Sequence, residues 1–325
     1  MGDGAGGEIC REPGSVMKVK VWLALLSIYV IWGSTYLAIR FAVDTIPPFL
    51  MAATRVLAAG LILYVWMRIA GAPRPAKDQW VAAGITGLFL LLGGNGLVSW
   101  AEQKVASSVA ALIIGSMPLW IVLVDAVRPR GVRPSALMIT GVLIGFLGVL
   151  ILIDPFKSVG SGEKIDLMGA IALLMAALLW SIGSIYGREN HHRMPKQPLL
   201  TSGMQMLVGG AGLLAAGTLS GEWNRLELAT ISTRSFTALA YLTVFGSIIA
   251  FACYSWLLSA APTPLVATYA YVNPLVAVML GSLLAQEPIN SHLLISAALI
   301  VGAIILINMA RWKQVIGKLR TYRVS

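Results

Sequence analysis

Residues 134–153 read PSALMITGVLIGFLGVLILI, twenty positions without a charged side chain. At 1.5 Å rise per residue such a run crosses the hydrocarbon core of a bilayer as one helix. Working outward in both directions, nine more runs of similar length follow the same rule. Together the ten cover roughly 20–43, 48–70, 79–100, 104–126, 134–153, 167–188, 198–219, 235–258, 263–285 and 291–310. The gaps near 154–166 and 220–234 are loop-sized, so no soluble domain fits between spans.

Composition agrees with this reading. Hydrophobic residues make up 58% of the 325, and charged residues only 12%, about half the usual ~25% of a soluble domain. That balance excludes a disordered chain and a secreted disulfide scaffold. The net charge of +10 is spread over short loops between apolar runs, which argues for a membrane protein rather than a nucleic-acid binder. Cys10 lies in the N-terminal tail and Cys253 inside an apolar run, and neither reads as a disulfide or metal ligand. The tail itself, 1–18, is Gly-rich, carries no apolar signal-peptide core and is expected to be disordered.

Basic residues give the expected orientation. Segments on the side of the N-terminus hold 17 of the 24 Lys and Arg. The other side holds five, namely Lys104, Lys157, Lys164, Arg225 and Arg234, while Arg40 and Arg55 lie within spans. The positive-inside rule then places both termini in the cytoplasm.

The two halves of the chain also match in order. Trp32 falls on Trp180, Arg40 on Arg188, Gly60 on Gly210, Ser99-Trp100 on Ser255-Trp256, Pro118 on Pro274 and Gly148 on Gly302. The offset drifts between 148 and 156 only across loops. Each half therefore holds five spans, 19–154 and 166–310, followed by a basic tail, 311–325. An odd number of spans makes the second half enter the membrane inverted. Inverted repeats are typical of secondary transporters, which bind substrate near the midplane between the halves. The expected fold class is all-α integral membrane, with ten transmembrane helices as two inverted five-helix repeats.

The sequence resembles the drug/metabolite transporter superfamily in its ten-helix EamA-type branch. The residues that carry the resemblance are Ile31-Trp32-Gly33-Ser34-Thr35, Arg55, Ser107 to Leu112 leading to Pro118, and Gly145 to Ile151. Leu178-Leu179-Trp180-Ser181, Ala267 to Pro274, Glu287 and Ala297 to Leu306 continue it in the second half. The resemblance implies export or exchange of small metabolites or drugs across a bacterial inner membrane, and the outward direction rests on it alone. The chain departs from a symmetric pattern at Gln205, which stands where Arg55 has its counterpart.

Candidate substrate-binding residues are the polar and aromatic groups inside spans. Trp32 and Trp180 sit mid-span, away from the interfacial belts, with Tyr36 and Ser184 one turn on. They read either as an aromatic wall for an amphipathic solute or as packing. Arg55 reads as a cavity residue, as a snorkelling side chain or as a partner of Asp44; Arg40 reads as a partner of Asp44. Asn95, Gln205, Tyr254, Tyr269, Tyr271 and Asn273 complete the set, each with interhelical hydrogen bonding as its plainer reading. Pro118 and Pro274 should bend their helices. Gly141, Gly145 and Gly148 form a packing stripe, and Gly145 and Gly148 leave a homodimer face open. Partners are otherwise the lipid bilayer and a small-molecule substrate, with no nucleic acid, and no cofactor or metal is expected.

The sequence shows no H-E-x-x-H, no G-x-S-x-G and no Gly-rich phosphate loop followed by Lys. An intramembrane enzyme is the least favoured alternative and a solute channel the nearer one. None of the fourteen acidic residues falls in the middle of a span; Glu102, Asp125 and Glu287 come nearest. The expectation is a carrier that runs down the substrate's own gradient or exchanges one solute for another, without proton coupling, with Glu287 as the alternative coupling site at the rim.

Overall fold

The computed structural model describes residues 15–129, 131, 133–154 and 165–322. The sequence readings of residues 1–14, including Cys10, and of Lys157 and Lys164 lie outside the described residues. Among the described residues nine helices are long and apolar enough to cross a membrane. In order they are Met17–Ala42, Pro48–Ile69, Lys77–Ala101, Ser107–Val127, Ala136–Ile153, Leu167–Glu189, Pro198–Leu219, Thr233–Leu258 and Ser291–Trp312. The ninth of the expected ten spans is shorter, because its helix divides into Thr263–Val266 and Tyr269–Ala285.

That division corrects the expectation of one continuous helix over 263–285, and its cause is local. Three-residue backbone bonds from Thr268 to Leu265, Ala270 to Ala267 and Tyr271 to Thr268 tighten the chain. The Thr268 hydroxyl also donates to the Leu265 carbonyl. Pro274 follows six residues later and can give no N–H to the Ala270 carbonyl. The fourth span breaks comparably, into Ser107–Ile114 and Met117–Val127. There Ser116 bonds the Ile113 carbonyl through both its N–H and its hydroxyl, and Pro118 starts the next helix, where its missing N–H costs nothing.

Helix pairing obeys the inverted repeat. The first span packs on the eighth and ninth, and the sixth packs on the third and fourth. Two pairs map onto themselves, the second with the seventh and the fifth with the tenth. Individual contacts match as well. A Cβ on Gly60 would lie 3.0 Å from the Leu207 nitrogen, and one on Gly210 would lie 3.2 Å from the Leu57 nitrogen. Gly33 presses on Val276 and the Asn273 carbonyl. Its counterpart Ser181 donates to the Met117 carbonyl at 3.1 Å. Pairs of small residues permit these approaches. Gly141, Gly145 and Gly148 are spent in the same way, against Ile307, Leu119 and Leu299 of the same chain.

The main core joins Ala38, Leu112, Ile113, Leu173, Leu242 and Ile300 from both halves. A second core forms between the second, third and seventh spans around Val56, Leu63, Leu91 and Leu213. Leu143, Leu147, Leu150, Leu283 and Leu294 are exposed on the outside, as suits helices whose solvent is lipid. The fold is therefore all-α, with ten membrane-crossing segments arranged as two inverted repeats.

Candidate functional site

The third and eighth spans share a feature that periodicity did not reveal. Each widens into π-helical turns in its middle, over Leu88–Gly96 and Leu242–Ile249. The starts are 154 positions apart, the offset that also relates Gly148 to Gly302. A π segment shifts the helical register, so some backbone and side-chain groups leave the regular ladder. Such turns are frequent at functional sites.

The two matched tryptophans close on these turns. The Trp32 indole N–H donates to the Gly246 carbonyl at 3.3 Å. The Trp180 ring lies so close to Gly94 that a Cβ there would sit 2.4 Å from Cε3. Each tryptophan thus reaches the π turns of the opposite repeat's partner span, the first span to the eighth and the sixth to the third.

The surroundings of the two rings differ. Trp32 is packed among Phe251, Tyr254 and Tyr269, with ring centroids 5.5, 5.2 and 5.1 Å away. Tyr254 and Tyr269 meet edge to face at 5.8 Å. Arg55 approaches the same turns from the second span. Its Nε donates to the Ser247 hydroxyl at 2.8 Å, while its Nη1 is buried without a partner among the described residues. Trp32 and Arg55 therefore converge on Gly246 and Ser247, with Tyr254 and Tyr269 packed on the Trp32 ring. On the other side Trp180 packs on Gly94, whose chain neighbour Asn95 has its Oδ1 buried without a partner among the described residues.

The remaining candidates are more dispersed. Tyr36 and Tyr271 pack against the main core. Ser184 is half-buried one turn beyond Trp180. Gln205 meets the third span through its backbone, which touches Gly87. Asn273 is buried with its Oδ1 unpaired, and its carbonyl faces Gly33.

The charged residues depart from the sequence expectation. Neither Arg40 nor Arg55 forms an ion pair with Asp44 among the described residues. Arg40 donates to the backbone carbonyl of Glu102. Its counterpart Arg188 pairs with Asp125 at 3.2 Å, and Arg128 bridges Asp125 and Glu189. Glu287 caps the start of the fourth span, accepting from the Ser107 nitrogen, the Ser107 hydroxyl and the Ser108 nitrogen at 2.8–2.9 Å. Glu222 does the same for the second span, at the Phe49 and Leu50 nitrogens. A carboxylate beside the first N–H groups of a helix also meets the positive end of its dipole.

Glu102 stands apart. It follows directly on the third span, has 0% exposure, and among the described residues neither carboxylate oxygen has a partner. Burial, reinforced by the nearby Glu287 carboxylate, holds its carboxyl well above the ordinary carboxylate range, and Arg40 and Arg55 only partly oppose this. Its place at a helix end concealed this burial in the sequence. The spacing of Asn95, Ser99 and Glu102, which puts three polar groups on one helical face, was the available signal.

The chain matches the model of the EamA-like transporter family over residues 19–154 and 167–309. It is 34% identical over 291 residues to the uncharacterized inner membrane transporter YedA of Escherichia coli, covering 89% of this chain and 90% of that one. Protein PagO of Salmonella typhimurium is 26% identical over 88% of this chain and 92% of its own. A WAT1-related chloroplastic protein of Arabidopsis thaliana is also 26% identical, over 88% of this chain and 69% of its own. One crystal structure shares the fold with a TM-score of 0.61 at 22% identity, over 90% of this chain and 98% of that one.

Proposed function

The chain belongs to the EamA-like transporter family, and from that premise we propose that it is a secondary carrier moving small amphipathic solutes by alternating access. The observation that carries this reading is the pair of π-helical segments at matched places in inverted repeats, each met by a tryptophan. Two nearly equivalent closures, related by a pseudo-two-fold axis, give a protein two conformations of similar energy that open to opposite sides. An amphipathic solute suits the groups that converge there. The rings of Trp32, Tyr254 and Tyr269 offer apolar faces with polar edges. Arg55 offers a buried guanidinium with one nitrogen unpaired. Amino acids, their derivatives and drug-like compounds have this character.

In this proposal the protein resides in the inner membrane with both termini in the cytoplasm, and net transport is outward. Single cysteines introduced at positions 160 and 195, in a background lacking Cys10 and Cys253, check the orientation. A membrane-impermeant thiol reagent applied to intact cells should label position 160 and spare 195. The reverse pattern inverts the arrangement.

The transport reading is tested in two steps. Untargeted metabolomics of medium from cells with and without overexpressed protein identifies exported solutes. Purified protein in liposomes should then show saturable uptake of such a solute, stimulated when unlabelled solute is loaded on the other side. Unsaturable flux without that stimulation means a channel, and no flux with any identified solute removes the carrier.

A further inference from the structure

We propose that Glu102 is a proton-carrying group, so that transport by this chain is coupled to proton movement. This deepens the carrier reading and rests on it. The acids at the other span ends have settled work. Glu287 and Glu222 cap helices, and Asp125 is held by Arg128 and Arg188. Glu102 is as buried as any of them, yet no donor among the described residues reaches either of its carboxyl oxygens. An ionised carboxylate so enclosed is strongly disfavoured, and the group is held neutral as long as it stays covered.

The groups around it make the charge reversible. Tyr36 and Arg40 of the first span, Arg55 of the second, and Glu287 in the connection between the ninth and tenth lie within electrostatic range of it. Asp166 lies at the start of the sixth span, whose Gly169 packs against Ala101 and Val105. Lys104 follows on Glu102's own turn and is exposed. Arg40 grips only the Glu102 backbone, and Arg55 keeps Nη1 unpaired. Glu102 is thus anchored by its backbone carbonyl, and Arg55 keeps a nitrogen with which to compensate a charge on its carboxyl.

The step balances simply. When the first and second spans shift in the alternation, the Glu102 O–H gives its proton to water on the side then open. The resulting carboxylate is compensated by the guanidinium of Arg55. Return to the covered state requires a proton from the side then facing it. Asn95, Ser99 and Glu102 stand at i, i+4 and i+7, each with a buried oxygen lacking a partner among the described residues. This row runs from the turns where Trp180 packs to the carboxyl, which places proton occupancy and the candidate solute site on one helix face.

Infrared spectroscopy of the purified protein tests the protonation without any substrate. Wild type at neutral pH should show the C=O stretch of a protonated carboxylic acid that Glu102→Gln lacks. In liposomes, an imposed pH gradient at clamped membrane potential should drive wild type to accumulate the solute found by metabolomics. Glu102→Gln should keep counterflow and lose that accumulation entirely. Glu102→Asp, which retains an acid, should accumulate with a shifted pH dependence and serves if the Gln variant does not fold. An ionised Glu102 at neutral pH overturns the proposal. So does accumulation by Glu102→Gln equal to wild type, or a loss confined to Glu287→Gln. Absence of counterflow in wild type would instead remove the carrier reading, and the infrared result would still stand.

Discussion

Gly87→Val should leave no folded protein in the membrane. A Cβ at Gly87 would lie 2.2 Å from the carbonyl oxygen of Gln205 and 2.9 Å from its Cα. The obstacle is helix backbone, which cannot turn aside as a side chain does. The contact is mutual, since a Cβ on Gly209 would sit 2.7 Å from the Gly87 oxygen. Overpacking that side chains can absorb costs about 1–3 kcal/mol. Here the third and seventh spans must separate along their length, which brings the penalty toward the whole ~5–15 kcal/mol stability of a typical protein. Fluorescence-detected size-exclusion in mild detergent should show the monodisperse peak lost. Gly302→Val supplies the contrast, because a Cβ there meets nothing within 4 Å, and its peak should match wild type. Its sequence counterpart Gly148 is closed in by Leu299, Ile300 and the Ser296 carbonyl. A normal peak for Gly87→Val, or equal loss for Gly302→Val, would show that the helix contacts are misplaced.

The contrast between Gly148 and Gly302 shows where sequence reading stops. The two are equivalent in the repeat, so their match disclosed the fold. Only the packing of the fifth span on the tenth tells them apart. The spans were legible because a bilayer demands about twenty apolar residues of each, and nine long helices fall near the expected places. The inverted arrangement was legible because Trp32, Gly60, Pro118 and Gly148 each have a counterpart in order. The π turns were not, since one added residue per turn leaves an all-apolar helix looking the same. The break at Ala267–Thr268 depends on Thr268, whose hydroxyl also meets that of Tyr29 239 positions away. Arg55 could be placed within its span, but its partner Ser247 lies 192 residues on. Glu102 misled because a helix end normally faces water, whereas here the side chain is fully buried and Arg40 pins its backbone carbonyl.

Trp32→Phe and Trp180→Phe should each reduce solute counterflow several-fold while leaving folded protein at wild-type amounts. Both rings meet π turns, yet they do so differently, and the two variants should differ accordingly. Phenylalanine at 32 keeps most of the contact with Phe251, Tyr254 and Tyr269 but deletes the N–H that reaches the Gly246 carbonyl. A hydrogen bond of this kind contributes a net ~0.5–1.5 kcal/mol. At about 1.4 kcal/mol per factor of ten, its loss from one conformation shifts the balance between the two closures several-fold. Trp180 contributes shape, because its six-membered ring lies on Gly94. Phenylalanine there retreats from the π turns and leaves a void that a larger residue at 94 could fill. Gly94→Ala alone should clash with Trp180, and combined with Trp180→Phe it should restore part of the counterflow. Trp32→Phe should receive no such rescue from Gly94→Ala. The measurements are counterflow in liposomes and the size-exclusion peak of each variant. Normal transport in both Phe variants would reduce the tryptophans to packing residues. Rescue of both by Gly94→Ala would mean that the two closures are not separate.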